Sequence, residues 1–370
     1  MKILIACDKF KGSLTAPEAC AAVREGILSA IPKQDHRIKL LPIADGGDGI
    51  AKALTESQSG EWIFLKVLNA LGVETGAGFG IIDQGRTAVI EMAEASGLAQ
   101  LDENALTPRT ANTFGTGQLI KAAMKRGVEK IILGIGGSAT NDAGTGMALC
   151  LGWRFLDGSG DEITSLPADL GRVRKIIPPD EGPLPEIIVA CDVVNPLLGP
   201  DGCTRIYGPQ KGILAAEFAE HEAGLQNLVS LLDAEEIAAQ PGAGAAGGLG
   251  FGATVFLSAV LTPGFELVSE ILGLEEAVSE ADLVITGEGC LDLQSLEGKA
   301  PFGVARLAKQ QGKELVSFCG LADGEGLGEF FGQIIEIRNP DLSREENMAR
   351  GKAHLTEAAQ RFAGTLNRIL

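Results

Sequence analysis

Histidine is scarce in this 370-residue chain: three occur, at positions 36, 221 and 354, far apart and in polar or helical surroundings. That scarcity argues against a His-cluster metal site. It also argues against a Ser-His-Asp hydrolase, whose G-x-S-x-G elbow is missing. Seven cysteines (7, 20, 150, 191, 203, 290, 319) form an odd, scattered set with no C-x-x-C pair. They read as reduced, mostly buried thiols and imply a cytoplasmic location. No apolar run reaches membrane-spanning length. The N-terminal MKILIACDKFKG lacks the longer apolar core and small-residue cleavage site of a signal peptide. Basic residues are outnumbered, 31 Lys and Arg against 49 Asp and Glu, for a formal net charge of -18. Neither nucleic acid nor an anionic membrane is therefore expected as a partner. An anionic small substrate still fits if a few Lys or Arg are focused in one cleft. Any proton transfer falls to Asp or Glu.

What the chain does have is a glycine-rich corner at 131–146, IILGIGGSATNDAGTG. Ile131, Ile132 and Leu133 make a short buried strand that breaks at Gly134, with helix-compatible residues from Met147 to Cys150 beyond. Gly136 and Gly137 let backbone N–H groups approach an anion, and the helix start adds its positive dipole end. Ser138, Thr140 and Asn141 can donate hydrogen bonds, while Asp142 can hold a metal or accept a proton. Alone, such a corner is more often a packing turn than a binding loop.

Length exceeds the size at which single cores stop growing, so two domains are expected. Residues 2–7 read as a buried strand, and Thr15 with Glu18 forms a capping box before a helix striped by Ala19, Val23, Ile27 and Ile31. A second strand at 38–43 and a helix near 49–57 complete a βαβα opening. Strand-like pieces at 62–67, 78–82 and 87–92 alternate with turns, with no room for crossover helices. A helix is expected to begin at Leu119, after GTG, and further strands at 187–191, 282–286, 315–319 and 334–337. Ser343 with Glu346 caps the last helix, whose stripe is Leu355, Ala359, Phe362, Leu366 and Leu370. The tract PGAGAAGGLGFG at 241–252 has a linker's composition, but its flanking helices favour an ordered loop. The fold class is therefore α/β in two domains. One is a doubly wound parallel sheet built from both chain ends, 1–60 and 265–370, and a mixed α/β domain at 61–264 is inserted into it.

In a parallel sheet, ligands sit beyond the carboxyl ends of the strands. Asp8 follows the first strand, Asp45 and Asp48 the second, and Glu288 with Asp292 the strand at 282–286. Converging carboxylates need a cation, and Mg²⁺, usually shared with phosphates, is the natural one. Lys9, Lys11 and Lys299 lie in the same loops and can neutralise phosphate oxygens. Acidic loops, basic loops and a glycine cradle together suggest phosphoryl transfer. G-x-x-x-x-G-K-[ST] is absent, as are the protein-kinase H-R-D and D-F-G pieces, so neither of those kinase types applies. A nucleotide-cofactor oxidoreductase is disfavoured because DKFKGS, not G-x-G-x-x-G, follows the first strand. A binding protein that closes on an anion without chemistry is disfavoured by the surplus of carboxylates.

Several stretches resemble bacterial glycerate kinases of the glycerate 2-kinase type. They are DKFKGSLTA (8–16), ADGGDG (44–49), FGTGQLI (114–120), GIGGSATNDAGTGM (134–147), NPLLG (195–199), GPQKG (208–212), PGAGAAGGLG (241–250), TGEG (286–289) and LEGKAP (296–301). The matches span nearly the whole chain in the family's order. The resemblance implies ATP- and Mg²⁺-dependent phosphorylation of D-glycerate at the 2-hydroxyl, with the 3-hydroxyl as the alternative. It also implies a Rossmann- or flavodoxin-like domain with the other inserted. One departure is clear: after GEG the family reads Arg-Ile-Asp-Ser-Gln, whereas this chain has Cys290, Leu291, Asp292, Leu293 and Gln294.

On this reading Lys9, Lys11, Ser13 or Arg109 binds the glycerate anion, and Asp45, Asp192 or Asp8 takes the hydroxyl proton. Asp48, Glu288 and Asp292 hold the metal. The nucleotide phosphates lie over Gly136, Gly137, Ser138, Thr140 and Asn141, with Lys299 assisting. The oligomeric state stays open, a homo-oligomer included.

Overall fold

The computed structural model describes residues 1–31, 37–43, 49–102, 106–180, 182–292 and 300–366. In chain order its strands are β1 (Lys2–Cys7), β2 (Arg37–Leu40), β3 (Glu61–Leu68), β4 (Glu74–Ile82), β5 (Thr87–Glu91), β6 (Lys130–Gly134) and β7 (Arg154–Leu156). There follow β8 (Lys175–Ile177), β9 (Glu186–Ala190), β10 (Val260–Thr262), β11 (Leu283–Asp292), β12 (Glu314–Asp323) and β13 (Gln333–Glu336). The chain divides into two compact units, 1–45 with 265–370, and 46–264. The outward boundary thus falls at 45/46, not at 60/61. The helix Ile50–Ser57 packs on β4 and β5, so closely that a Cβ on Gly80 would lie 1.6 Å from Thr55 Oγ1.

The first unit is a five-stranded parallel sheet in the order β13-β12-β11-β1-β2. Numbered within the unit, that order is 2-1-3-4-5, the flavodoxin-like doubly wound arrangement. Helix Ala16–Ala30 starts at the expected capping box: Glu18 N donates to Thr15 Oγ1 at 3.4 Å, and Thr15 N donates to Glu18 Oε2 at 2.9 Å. Its stripe of Ala19, Cys20, Val23 and Ile27 packs with Ile3, Ile5 and Cys7 of β1 and with Leu355, Ala359 and Phe362. Each large aliphatic side chain buried there contributes about 1.5–3 kcal/mol. Leu4 and Val284 alternate with those residues and are buried too, so both faces of the sheet are covered. The helices Leu274–Glu280 and Ala300–Gln310 contact the central strands as well.

Two expectations change in this unit. The Ser343–Glu346 capping box opens a short helix, Arg344–Ala349, and the apolar stripe belongs to a separate helix, Gly351–Leu366. Leu370 lies outside the described residues.

The second unit carries a six-stranded mixed sheet, β10-β9-β6-β5-β4-β3. From β10 to β5 the strands run parallel, and β4 and β3 are antiparallel. Helix Phe114–Lys125 starts at Phe114, earlier than expected, and contains the GTG residues. Glycine there permits contact: a Cβ on Gly115 would lie 1.9 Å from the Leu68 carbonyl oxygen. The 241–252 tract is ordered. It leads into helix Ala245–Leu257, whose Ala246, Gly247 and Gly248 are left-handed.

Candidate functional site

In the first unit the strand order changes direction between β1 and β11, and ligands of such sheets bind beyond the carboxyl ends at that point. Asp8 is the first residue beyond β1. Its N–H donates to the Gly287 carbonyl of β11 at 2.8 Å, which sets Asp8 beside Glu288. Both side chains are largely buried, with 4% and 8% of their residue surface exposed. Asp8 Oδ1 accepts the Lys9 N–H at 2.6 Å, and the loop then passes over β11, where a Cβ on Gly289 would be 3.2 Å from Lys11 N. Ile43 N donates to Cys7 O at 3.1 Å, so the chain runs alongside β1 as far as Ile43. Asp45, Asp48 and Lys299 lie outside the described residues.

Three assignments in this unit need correction or replacement. The acidic loop after β11 is not a loop: the strand runs on through Gly287 and Glu288 to Asp292, pairing there with Asp323. Glu288 and Asp292 are therefore separated by four extended residues, about 13 Å, and cannot share one ion. The proton of the half-buried Ser13 is already used, because its hydroxyl donates to the Met348 carbonyl at 2.5 Å. Lys9 is half-buried and Lys11 exposed in the loop next to Glu288.

In the second unit the loop after β6 is stitched by backbone bonds to residues 92–98. Met92 N donates to Gly134 O at 2.9 Å, Leu98 N to Gly137 O at 2.8 Å, and Ala139 N to Ser96 O at 2.9 Å. The second glycine tract packs on its far side: Ala143 N donates to Gly247 O at 3.0 Å, and a Cβ on Gly247 would lie 1.9 Å from Thr140 O. Gly137, in left-handed backbone at φ +70°, makes the turn. Thr140 Oγ1 and Asn141 Oδ1 are buried and have no hydrogen-bond partner among the described residues.

Asp142 has a different job from metal binding or proton transfer. Its carboxylate accepts from Thr113 N (2.9 Å), Thr113 Oγ1 (2.7 Å), Gly144 N (3.2 Å) and Gly146 N (3.0 Å). Burial pushes its pKa up, and these bonds pull it back. It ties the start of one helix to the start of another.

Asp192 and Arg109 are also occupied. Asp192 is exposed, and its Oδ1 accepts the Gly264 N–H at 2.7 Å, a helix cap. Arg109, 46% exposed, pairs with Glu220 and lies 3.6 Å from Glu217, so two carboxylates already neutralise it. Those pairs compete with an anion for Arg109.

Two residues absent from the expected set stand out. Lys211, in the GPQKG turn, is 1% exposed, and its Nζ donates to Ser138 Oγ at 2.6 Å and to Thr140 O at 2.7 Å. Burial pushes its pKa down to about 8, against the opposing pull of Cys203 and Asp142. Glu91, at the carboxyl end of β5, is 6% exposed and accepts the N–H of Gly49 at the start of helix Ile50–Ser57. The motif GPQKG signals Lys211, but burial of one lysine leaves no periodic trace in sequence.

The two units offer different chemistry. The first offers carboxylates at a strand crossover, suited to a hard cation and a hydroxyl proton. The second offers backbone N–H groups, hydroxyls and an ammonium, suited to an anion. Residues 3–367 match the model of the glycerate kinase family. The chain is 41% identical to a glycerate kinase of Halalkalibacterium halodurans over 98% of this chain and 97% of that one. It is 40% identical to the glycerate 2-kinase of Escherichia coli over 99% and 98%. A crystal structure from Salmonella typhimurium LT2, provisionally assigned as glycerate kinase 2, superposes with a TM-score of 0.89 at 36% identity, covering all of this chain and 98% of the other. The chain belongs to the glycerate kinase family.

Proposed function

We propose that this kinase transfers the γ-phosphoryl group of ATP to the 2-hydroxyl of D-glycerate, giving 2-phosphoglycerate and ADP. The observation that carries the reading is the pair of buried carboxylates, Asp8 and Glu288, at the crossover of a flavodoxin-like sheet, in a chain matched to this family from residue 3 to 367. In the transfer, the glycerate oxygen forms a bond to γ-phosphorus while the bond from γ-phosphorus to the β,γ-bridging oxygen breaks. The hydroxyl proton passes to a carboxylate, Asp8 or Asp45; such a base contributes about 10²–10⁴-fold.

Mg²⁺ fits the donor chemistry. It binds through one or two carboxylates and keeps waters and phosphate oxygens for its remaining positions. Glu288 and Asp48 would hold it, and when bound it neutralises charge on the transferring group. Lys9 and Lys11 receive the glycerate carboxylate, and the nucleotide phosphates lie over 136–141.

We further infer that the two units act as separate domains and that the protein is cytoplasmic; no described helix is long and apolar enough to cross a membrane. An assay coupled to ADP release, with and without D-glycerate, tests the reaction, and a ³¹P spectrum of the product tests the position. ADP that forms at the same rate without glycerate would end the proposal. Asp45→Asn is expected to cut turnover by orders of magnitude while leaving the melting temperature unchanged.

A further inference from the structure

Lys211 is a buried cation with an incomplete set of partners. An ammonium carries three protons. Two go to Ser138 Oγ and Thr140 O, and among the described residues neither a third acceptor nor a carboxylate ion pair completes the group. A cation met only by neutral oxygens is costly to bury unless an anion completes the site. The consequence for Ser138 is directional. Its oxygen accepts from Lys211, and its own proton has no acceptor among the described residues. The proton is therefore presented away from Nζ. Thr140 Oγ1, next along the loop, is likewise buried and unpartnered.

We propose that Lys211 is a positioning residue for the nucleotide: by occupying the Ser138 oxygen and the Thr140 carbonyl, it turns the Ser138 hydroxyl into a hydrogen-bond donor to an ATP phosphate. The proposal rests on the reading that the phosphates lie over 136–141. Ser138 makes the contact, and Lys211 acts through it. The titratable groups facing the ammonium are Cys203, pushed up to about 11 by burial, and Asp142, whose pKa burial raises.

The test uses Lys211→Met, Ser138→Ala and the double variant in the full chain. KM for ATP is expected to rise about 10-fold in each single variant while KM for D-glycerate stays within about twofold. The double variant is expected to be no more than about twofold worse than either single one, since both remove one coupled element. A second readout is proton uptake. An ATP phosphate near Lys211 raises its pKa, so titration calorimetry at pH 8, in buffers of different ionisation heat, is expected to show wild type taking up protons that Lys211→Met does not. Independent, multiplying effects of the two substitutions overturn the proposal, as does equal proton uptake. Should Lys211→Met fail to fold, Ser138→Ala and Lys211→Arg carry the same cycle.

ATP bearing a photoreactive group on its γ-phosphate separates the two levels of the argument. Labelling within 134–142, with KM for ATP unchanged in the variants, overturns the role of Lys211 alone. Labelling elsewhere overturns the placement of the phosphates, and the role of Lys211 with it.

Discussion

Two buried aspartates, Asp8 in the first unit and Asp142 in the second, carry the same functional group into different surroundings. Asp142 lies inside the most conspicuous glycine motif, yet four donors from its own unit saturate its oxygens. Asp8 follows a plain apolar strand, and its Oδ1 accepts the next residue's N–H, with Glu288 alongside. The lesson is that a motif locates a structured corner but does not say which of its acids is reactive. Position in the fold separates the two. Asp142 joins two helix starts and is part of the frame, whereas Asp8 lies at a strand crossover beside a second carboxylate, where we propose that it acts.

The strongest way to break this contrast is Asp8→Asn. Turnover in the ADP-release assay is expected to fall by about 10²–10⁴-fold, with a melting temperature close to wild type. Near-normal turnover would remove Asp8 from the reaction. Asp142→Ala should do the reverse, lowering unfolding free energy in urea by about 3 kcal/mol or more, because three buried N–H donors lose their acceptor. A variant as stable as wild type would show that the frame does not depend on this carboxylate.

Gly247→Ala sharpens the comparison at the backbone. Its φ of +66° and the 1.9 Å approach of a Cβ to Thr140 O predict a loss of about 2–3 kcal/mol. Gly171→Ala, where a Cβ meets nothing within 4 Å, is the matched control and should change little.

A smaller effect is expected from pH. Lys211 has a folded-state pKa of about 8 against an ordinary 10.5, so the folded chain binds fewer protons between those values. The cost of burying the ammonium is fully present below pH 8 and is relieved as pH rises from 8 toward 10.5. Thermal melts of wild type minus Lys211→Met should show wild type gaining across that window, and a flat difference would contradict the burial. The smallest effect belongs to Arg109→Gln, with KM for D-glycerate expected within about twofold, since Glu217 and Glu220 already hold that guanidinium.

Much of the architecture was legible because it follows from local rules. Thr15 and Glu18 announce a helix start, the 2–7 run announces a doubly covered strand, and both are found within a residue of their expected bounds. Glycine was harder to interpret. GEG after Thr286 looks like a turn, yet it continues β11, because Gly287 lets that strand meet β12 where a Cβ would lie 2.3 Å from Phe318 O. GTG before Leu119 looks like a loop, yet it is helical because Gly115 abuts Leu68. In each case glycine serves close approach between elements distant in sequence, which a local pattern cannot register. The same limit hid Lys211, whose burial depends on a loop 71 to 73 residues away.

The pairing of β1 with β11 joins residues 280 positions apart, with Ala6 O accepting from Thr286 Oγ1. On a ribosome adding about 5–20 residues per second, the first strand waits on the order of 15–55 s for its neighbour. The chain from 46 to 264 emerges whole in that interval and can fold first. Throughout, the edge of Ile3–Cys7 that faces β11 is without its native neighbour, which makes it a strand edge a chaperone would meet on the nascent chain.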